Sequence, residues 1–402
     1  MGAYDLNKVP KVDTAVTIPK DEYKGRVQKL RQRLFDYNAD IGIAYGTPHM
    51  PGDVFYLSGY DPLLENTIVL LSQEKMFLLC GPEGGRYGDE MLKYGEIRIV
   101  DEMQIPLEDY PVTKTVSIDE VITELFHGRI KRAAILTKDD VITTRCIALM
   151  EKHLGNEVEF IDASDVLYYE MRFVKSLNEQ KVLRVSNRIA QEAVKAMVES
   201  VIPGMTELEL AAIGDYVMKK MGASAYGFDS MILSGKRINT IIGRGTNKII
   251  KSGELVSIRA SCRYEGYASV TGRMVIAKGE GTKEQIKFLE HGLKAHELSV
   301  EKFFYGGQEK DVDLAAKNYF KQHNMAQYQI YSVAHGTGIT ECLEARPFTQ
   351  HSKGTIPKNI SMMIDIGIYG HPEFYGFCFE DPYLINDKGE TERLVDYPMR
   401  TF

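Results

Sequence analysis

The apolar run SMMIDIGIYG carries a single carboxylate, Asp365, among neighbours that argue for a buried strand. A charge there is costly unless it is paired or hydrogen-bonded. Asp365 is therefore either half of a structural ion pair, with Arg259 of LVSIRASCRY as partner, or a group held for chemistry. Glu380 lies in FYGFCFEDPYL, where its neighbour Asp381 reads as a cap for the turn at Pro382. His335 opens the segment HGTG; an imidazole titrates near neutral pH, and two carboxylates can orient it and stabilise its cation for proton transfer. Cys262 and Cys342 stand near these segments, but no base is placed beside either thiol, so a nucleophilic cysteine is not expected. The tract GRGTNK lacks the spacing of a phosphate-binding Walker loop.

Such residues need elements to hold them. In the first half, residues 22–38 place Val27, Leu30, Leu34 and Tyr37 at helical spacing. Short apolar runs (IGIAYG, NTIVLLS, KMFLLC, IRIV, AAILT, VEFID) then alternate with helical stretches such as TTRCIALMEKHLG. This order predicts an α/β layer domain over residues 1–165. Ser176 followed by Glu179 predicts a capping box opening a long amphipathic helix. Beyond it, helices (LELAAIGDYVMKKMG, TKEQIKFLEHGLKAHELSVEKFF, DLAAKNYFKQHN) alternate with strands (LVSIRASCRY, YASVTGRMVIA, SMMIDIGIYG, FYGFCFEDPYLIND), and Gly266 marks a hairpin turn in RYEGY. The pattern predicts an antiparallel sheet covered by helices over residues 166–402, hence a two-domain α/β (α+β) protein.

The chain has 402 residues, more than one core usually organises. A net charge of -7 without a basic block argues against a nucleic-acid partner. No apolar run reaches the roughly 18 residues of a membrane span, and no signal core opens the chain, so a cytoplasmic protein without a membrane partner is expected. Five cysteines without a CxxC pair suit reduced thiols rather than a disulfide framework.

The segments GELVSIRASCRYEGYASVTGR, HGTGITECLEARP, SMMIDIGIYG and FCFEDPYLINDKGETERL resemble the motifs of the creatinase, prolidase, aminopeptidase P and methionine aminopeptidase superfamily, whose fold is called pita bread. MRFVKSLNEQKVLRVSNRIA resembles the helix entering that domain, and VFYLSGYD resembles a motif of the creatinase-type N-terminal domain. The resemblance implies a homodimer. It also implies a site that in the metallopeptidases holds two divalent ions on five ligands. Here the two hairpin aspartates fall on Arg259 and Val270, the histidine on His335, and the two glutamates on Asp365 and Glu380. With Pro347 as anchor, a further catalytic histidine falls near Glu344, and one before the first hairpin has no counterpart at Ile242 or Gly243.

Two cations about 3.5 to 4 Å apart need bridging carboxylates. With a guanidinium and a valine in place of the hairpin acids, a binuclear site is not expected. A mononuclear site of His335, Asp365 and Glu380 is chemically conceivable, but Arg259 repels an ion, so neither a metal nor a cofactor is expected. The resulting expectation is a creatinase-like hydrolase of C–N bonds in small amide, amidine or guanidine compounds. His335, Asp365 and Glu380 are its catalytic residues, and Arg259, Glu344, Arg346 and Arg273 bind the substrate. The alternatives are a Xaa-Pro dipeptidase or aminopeptidase with one metal, acting on a dipeptide-like substrate, and a non-enzymatic binding relative.

Overall fold

The computed structural model describes residues 4–103, 113–277, 281–342 and 344–402. It divides into two units, one spanning Ile18–Arg172 and the other Phe173–Phe402 together with the N-terminal stretch up to Thr17. Sequence reasoning set the boundary at residue 165 and left the N-terminal stretch with the first domain. Tyr264 explains the difference: its hydroxyl donates to the Val16 carbonyl at 3.0 Å, and Lys220 donates to that of Leu6 at 2.9 Å.

In the unit 18–172, six strands form one sheet: β1 (Ile41–Gly46), β2 (Thr67–Leu71), β3 (Met76–Cys80), β4 (Glu96–Ile99), β5 (Arg132–Ile135) and β6 (Glu159–Asp162). They lie in the order β4-β3-β2-β1-β5-β6. β1 pairs antiparallel to β2 and parallel to β5, so the sheet is mixed. Ile41, Ile43, Leu70 and Phe77 pack with Val121, Leu125 and Met150 from the helices Ile118–Leu125 and Thr144–Leu154.

In the second unit, the helix Leu177–Ser200 opens with the predicted capping box. Glu179 N–H donates to Ser176 Oγ at 3.1 Å, and Ser176 N–H donates to Glu179 Oε2 at 2.7 Å. Eight strands follow: β7 (Ala225–Ser234), β8 (Leu255–Tyr264), β9 (Tyr267–Ala268), β10 (Thr271–Ile276), β11 (Ala334–Gly336), β12 (Ile360–His371), β13 (Tyr375–Ile385) and β14 (Thr391–Arg393). Six of them run β11-β12-β13-β10-β8-β7, each antiparallel to its neighbour. Glu265 and Gly266 turn β8 into β9 with φ of 48° and 76°, the positive pair a two-residue hairpin requires. YASVTGRMVIA is two strands rather than one, and β7 is an edge strand that the sequence reading did not assign.

Alternation gives this sheet two unlike faces. Ile364, Ile366 and Ile368 of β12 and Phe377 and Phe379 of β13 join the core with Phe288, Leu289, Val312 and Phe320 of the helices Lys283–Val300 and Glu309–Gln322. The residues between them, Asp365, Gly367, Tyr369, Cys378 and Glu380, fall on the opposite face.

Candidate active site

One row across the sheet gathers three of the candidate residues. Asp365 pairs with Glu380, Glu380 with Gly272, and Gly272 with Arg259. Directly opposed residues share a face, so Arg259, Glu380 and Asp365 project the same way. Gly272 leaves the space between them: a Cβ there would lie 2.9 Å from Glu380 Cβ and 3.1 Å from Arg259 Cγ. The short strand β11 brings His335 to the end of the row, opposite Met363. Ligand atoms of His335, Asp365 and Glu380 all lie within 4.8 Å of one another.

His335 Nε2 stands 3.5 Å from Glu380 Oε1 and 3.8 Å from Oε1 of Glu341, a residue the sequence reading did not single out. Asp365 Oδ1 accepts hydrogen bonds from the Tyr331 hydroxyl at 3.0 Å and the Cys378 thiol at 3.1 Å, and Tyr331 meets the Tyr369 hydroxyl at 3.1 Å. The closeness of Tyr331 depends on Gly367, whose added Cβ would come within 2.0 Å of the phenol oxygen.

Burial is the largest influence on His335, Glu341, Asp365, Tyr331 and Cys378. It opposes charge on His335, but Glu341, then Glu380 and Asp365, outweigh it and push the imidazole up to about 10. His335 is therefore protonated at neutral pH rather than titrating there, and a divalent cation must displace that proton. Burial pushes Glu341 up to about 7; His335 and Arg259 oppose the rise, while Glu380 and Asp365 add to it. Asp365 is pushed to about 6 by burial and Glu380, against Arg259, His335 and the Cys378 thiol. Burial and then Asp365 hold both the Tyr331 phenol and the Cys378 thiol well above their ordinary values, so each remains a donor.

Three of the expected substrate-binding residues are engaged elsewhere. Arg273, one strand position from Gly272 and so on the opposite face, is wholly buried. Its guanidinium donates to Asp381 Oδ1 at 2.7 Å and to the carbonyls of Gly272, Pro398 and Tyr397 at 2.7, 2.7 and 2.9 Å. Asp381 also pairs with Arg393, which makes it a buried bridge rather than a turn cap. Glu344 pairs with Lys175 at 3.1 Å and accepts from the N–H and hydroxyl of Thr340 at 3.2 and 2.9 Å, holding the chain beyond the HGTG segment. Arg346 pairs with buried Glu309 at 2.5 Å and lies over the Phe173 ring.

Anchoring the motif on Pro347 directed attention to Glu344, whereas the acid beside His335 is Glu341. Tyr369 and Cys378 were legible by alternation, being four residues from Asp365 and two from Glu380 on their strands. Tyr331 carries no comparable signal.

One imidazole and two carboxylates suit a single divalent ion, and the Glu341 carboxylate stands close by. Three carboxylates against one guanidinium leave the negative excess that one such ion balances. The set does not fit two ions. Arg259, 5% exposed, puts a cation in the row, and Val270 is fully buried and apolar.

A helix-backed antiparallel sheet with His, Asp and Glu on the face away from its helix-packed core, in a chain that also carries an α/β unit, defines a pita-bread hydrolase fold. The chain belongs to metallopeptidase family M24, which residues 181–387 match, while residues 26–174 match the creatinase/prolidase N-terminal domain. The Xaa-Pro dipeptidase of Pyrococcus furiosus is 29% identical over 367 residues, covering 91% of this chain and 96% of that protein. The prolidase structure of Pyrococcus horikoshii OT3 superposes with a TM-score of 0.80 at 26% identity, covering 94% of this chain and 100% of that one. The X-Pro aminopeptidase of Thermotoga maritima MSB8 shares the fold with a TM-score of 0.79 at 22% identity, over 93% and 98% of the chains. Among the described residues no helix is long and apolar enough to cross a membrane.

Proposed function

We propose that this protein is a hydrolase of the Xaa-Pro dipeptidase type, cleaving the C–N bond of a dipeptide-like substrate with one divalent ion held by His335, Asp365 and Glu380. The observation that carries the reading is the convergence of these three donors within 4.8 Å on one row of the sheet. The relatives favour this over the creatinase-like expectation, since those matching most of the chain include Xaa-Pro dipeptidases. Metal independence, expected from Arg259 and Val270 in place of the hairpin acids, has no support in a metallopeptidase family, and His335, Asp365 and Glu380 still converge here.

When bound, such an ion supplies Lewis-acid polarisation of the scissile carbonyl and acidification of a water. The protein's own groups do the rest. Tyr331 and Cys378 donate to Asp365 Oδ1 and fix that carboxylate in one orientation. Glu341, beside His335 and on no strand, is placed to accept the proton of an attacking water and return it to the leaving amine. Arg259 lessens the mutual repulsion of Asp365 and Glu380.

The test is release of proline from a panel of Xaa-Pro dipeptides by metal-loaded protein. Chelation is expected to abolish release and added Mn²⁺ or Zn²⁺ to restore it, and Glu341→Gln to lower kcat by about 10²–10⁴-fold with the fold intact. Proline release that persists unchanged in the chelated protein would overturn the reading.

A further inference from the structure

The helices that cover the second unit's sheet carry a pair of histidines that the active site does not use. His291 lies in the helix Lys283–Val300, and His323 caps the end of the helix Glu309–Gln322. Their ring centres are 4.9 Å apart, with the planes inclined at 60°. Both helices pack on the core face of the sheet, whereas His335, Asp365 and Glu380 gather on the other face, so the pair is separate from that cluster.

One residue holds both rings. His323 Nδ1 stands 2.8 Å from the Tyr319 carbonyl. A carbonyl only accepts, so Nδ1 carries the hydrogen, and in the neutral ring Nε2 carries the lone pair. His291 Nδ1 stands 2.9 Å from the Tyr319 hydroxyl, which can accept from it in the same way. Among the described residues neither Nε2 has a hydrogen-bonding or ion-pairing partner. His323 is exposed and His291 half-buried, which leaves the pair open to ions from solvent. Burial, then His323 and Lys287, lower the His291 imidazole below its ordinary value against Glu290, which favours the neutral ring that a metal needs.

An imidazole whose Nδ1–H is held by an acceptor while Nε2 stays free has the arrangement of a metal-ligating histidine. Two of them bound to one ion through Nε2 at about 2.0–2.1 Å stand with ring centres roughly 5 Å apart, close to the 4.9 Å seen here. The surroundings decide which ion is held. Lys287 adds positive charge beside His291 and Lys294 beside Tyr319, while Glu290 is paired with Arg400 at 2.8 Å. With little charge attraction to offer, the pair gives hard cations such as Mg²⁺ and Mn²⁺ no advantage over water and selects ions that bond well to imidazole nitrogen.

We propose that His291 and His323 form an accessory site for Zn²⁺ or Cu²⁺ that ties the two helices together. Their Nε2 atoms are the protein ligands, water fills the remaining positions, and Tyr319 is a positioning residue that orients both rings. Two protein ligands leave the ion in exchange with solvent. It therefore departs when free metal is washed away and does not add to the ion held by His335, Asp365 and Glu380.

The experiment titrates Zn²⁺, Cu²⁺ and Mg²⁺ into full-length His335→Ala protein, whose active-site donor set is broken, and reads calorimetric binding and thermal shift. Zn²⁺ and Cu²⁺ are expected to bind once per chain and raise Tm, and Mg²⁺ to do neither. In the same background Tyr319→Phe is expected to lower Zn²⁺ affinity by about 10–100-fold, and His291→Asn or His323→Asn by at least as much. The electron paramagnetic resonance spectrum of bound Cu²⁺ then shows two imidazole nitrogens, and one in each histidine variant. If His335→Ala fails to fold, wild type is compared with His291→Asn on an immobilised Cu²⁺ column, where wild type is expected to elute at the higher imidazole concentration. Absence of Zn²⁺ and Cu²⁺ binding, affinity unchanged in both histidine variants, or equal elution overturns the proposal. Proline release by metal-loaded His291→Asn is expected to equal that of wild type. Binding at the pair without any proline release counts against the hydrolase reading and leaves the accessory site standing.

Discussion

Arg259 faces Glu380 across Gly272, and one guanidinium in that row sets how much further positive charge the cluster accepts. Arg273 has the opposite character, with its donors on Asp381 and backbone carbonyls inside the protein. Arg273→Met is therefore expected to cost about 3–5 kcal/mol in urea denaturation, the usual penalty for breaking a buried pair from one side. A loss below ~1 kcal/mol would show that Arg393 alone satisfies Asp381. His296 gives a pH signature. Burial, reinforced by Arg273 and Arg393 against Asp381, lowers its folded pKa from 6.5 to about 4. Between those values the unfolded chain binds more protons than the folded one, so stability rises with pH through that window and is lost as pH falls across it. The expected loss is about 3 kcal/mol, and His296→Leu should flatten that part of the profile; an unchanged slope in the variant would contradict the assignment. At this scale the sequence was partly legible. Asp365 betrayed itself as a carboxylate in an apolar run, but Arg259 and Arg273, strand arginines on either side of the Glu265–Gly266 turn, differ only in the face they occupy, which motif matching does not weigh. Glu341 was hidden because its segment holds two acids and only the packing of Lys175 against Glu344 distinguishes them.

Strands with one buried face were the most legible elements. LVSIRASCRY is β8 residue for residue, and the apolar positions of SMMIDIGIYG and FYGFCFEDPYLIND define the core face of β12 and β13. What escaped was set by partners distant in sequence: β11 is three residues long and exists through its pairing with β12, and the edge strand β7 has two register irregularities against β8. Gly272 tests the geometry of the row directly. Gly272→Ala should cost about 1–3 kcal/mol through overpacking between Glu380 and Arg259, and should depress hydrolysis beyond what the stability loss explains. Unaltered kinetics in a folded Gly272→Ala protein would mean that the row tolerates a shift of its charged members. The capping box at Ser176 affords a local control, with Ser176→Ala expected to cost about 1 kcal/mol without altering metal binding.

For the molecule as a whole, the α/β unit is one continuous segment with its own sheet and core, so a fragment spanning residues 18–172 should fold cooperatively by circular dichroism. A fragment lacking a thermal transition would contradict its independence. The second unit draws on both ends of the chain, a feature that a boundary read from the order of predicted strands and helices does not reveal. Family membership was legible because several degenerate motifs occur in order along the chain. The metal content of the site was not, since it depends on how many carboxylates converge around Arg259 in space. The most direct test is the number of divalent ions bound per chain, measured by elemental analysis on protein stripped with chelator and reloaded with Mn²⁺ or Zn²⁺. One ion per chain, lost in His335→Ala, is the predicted result; none, or two, would contradict the account.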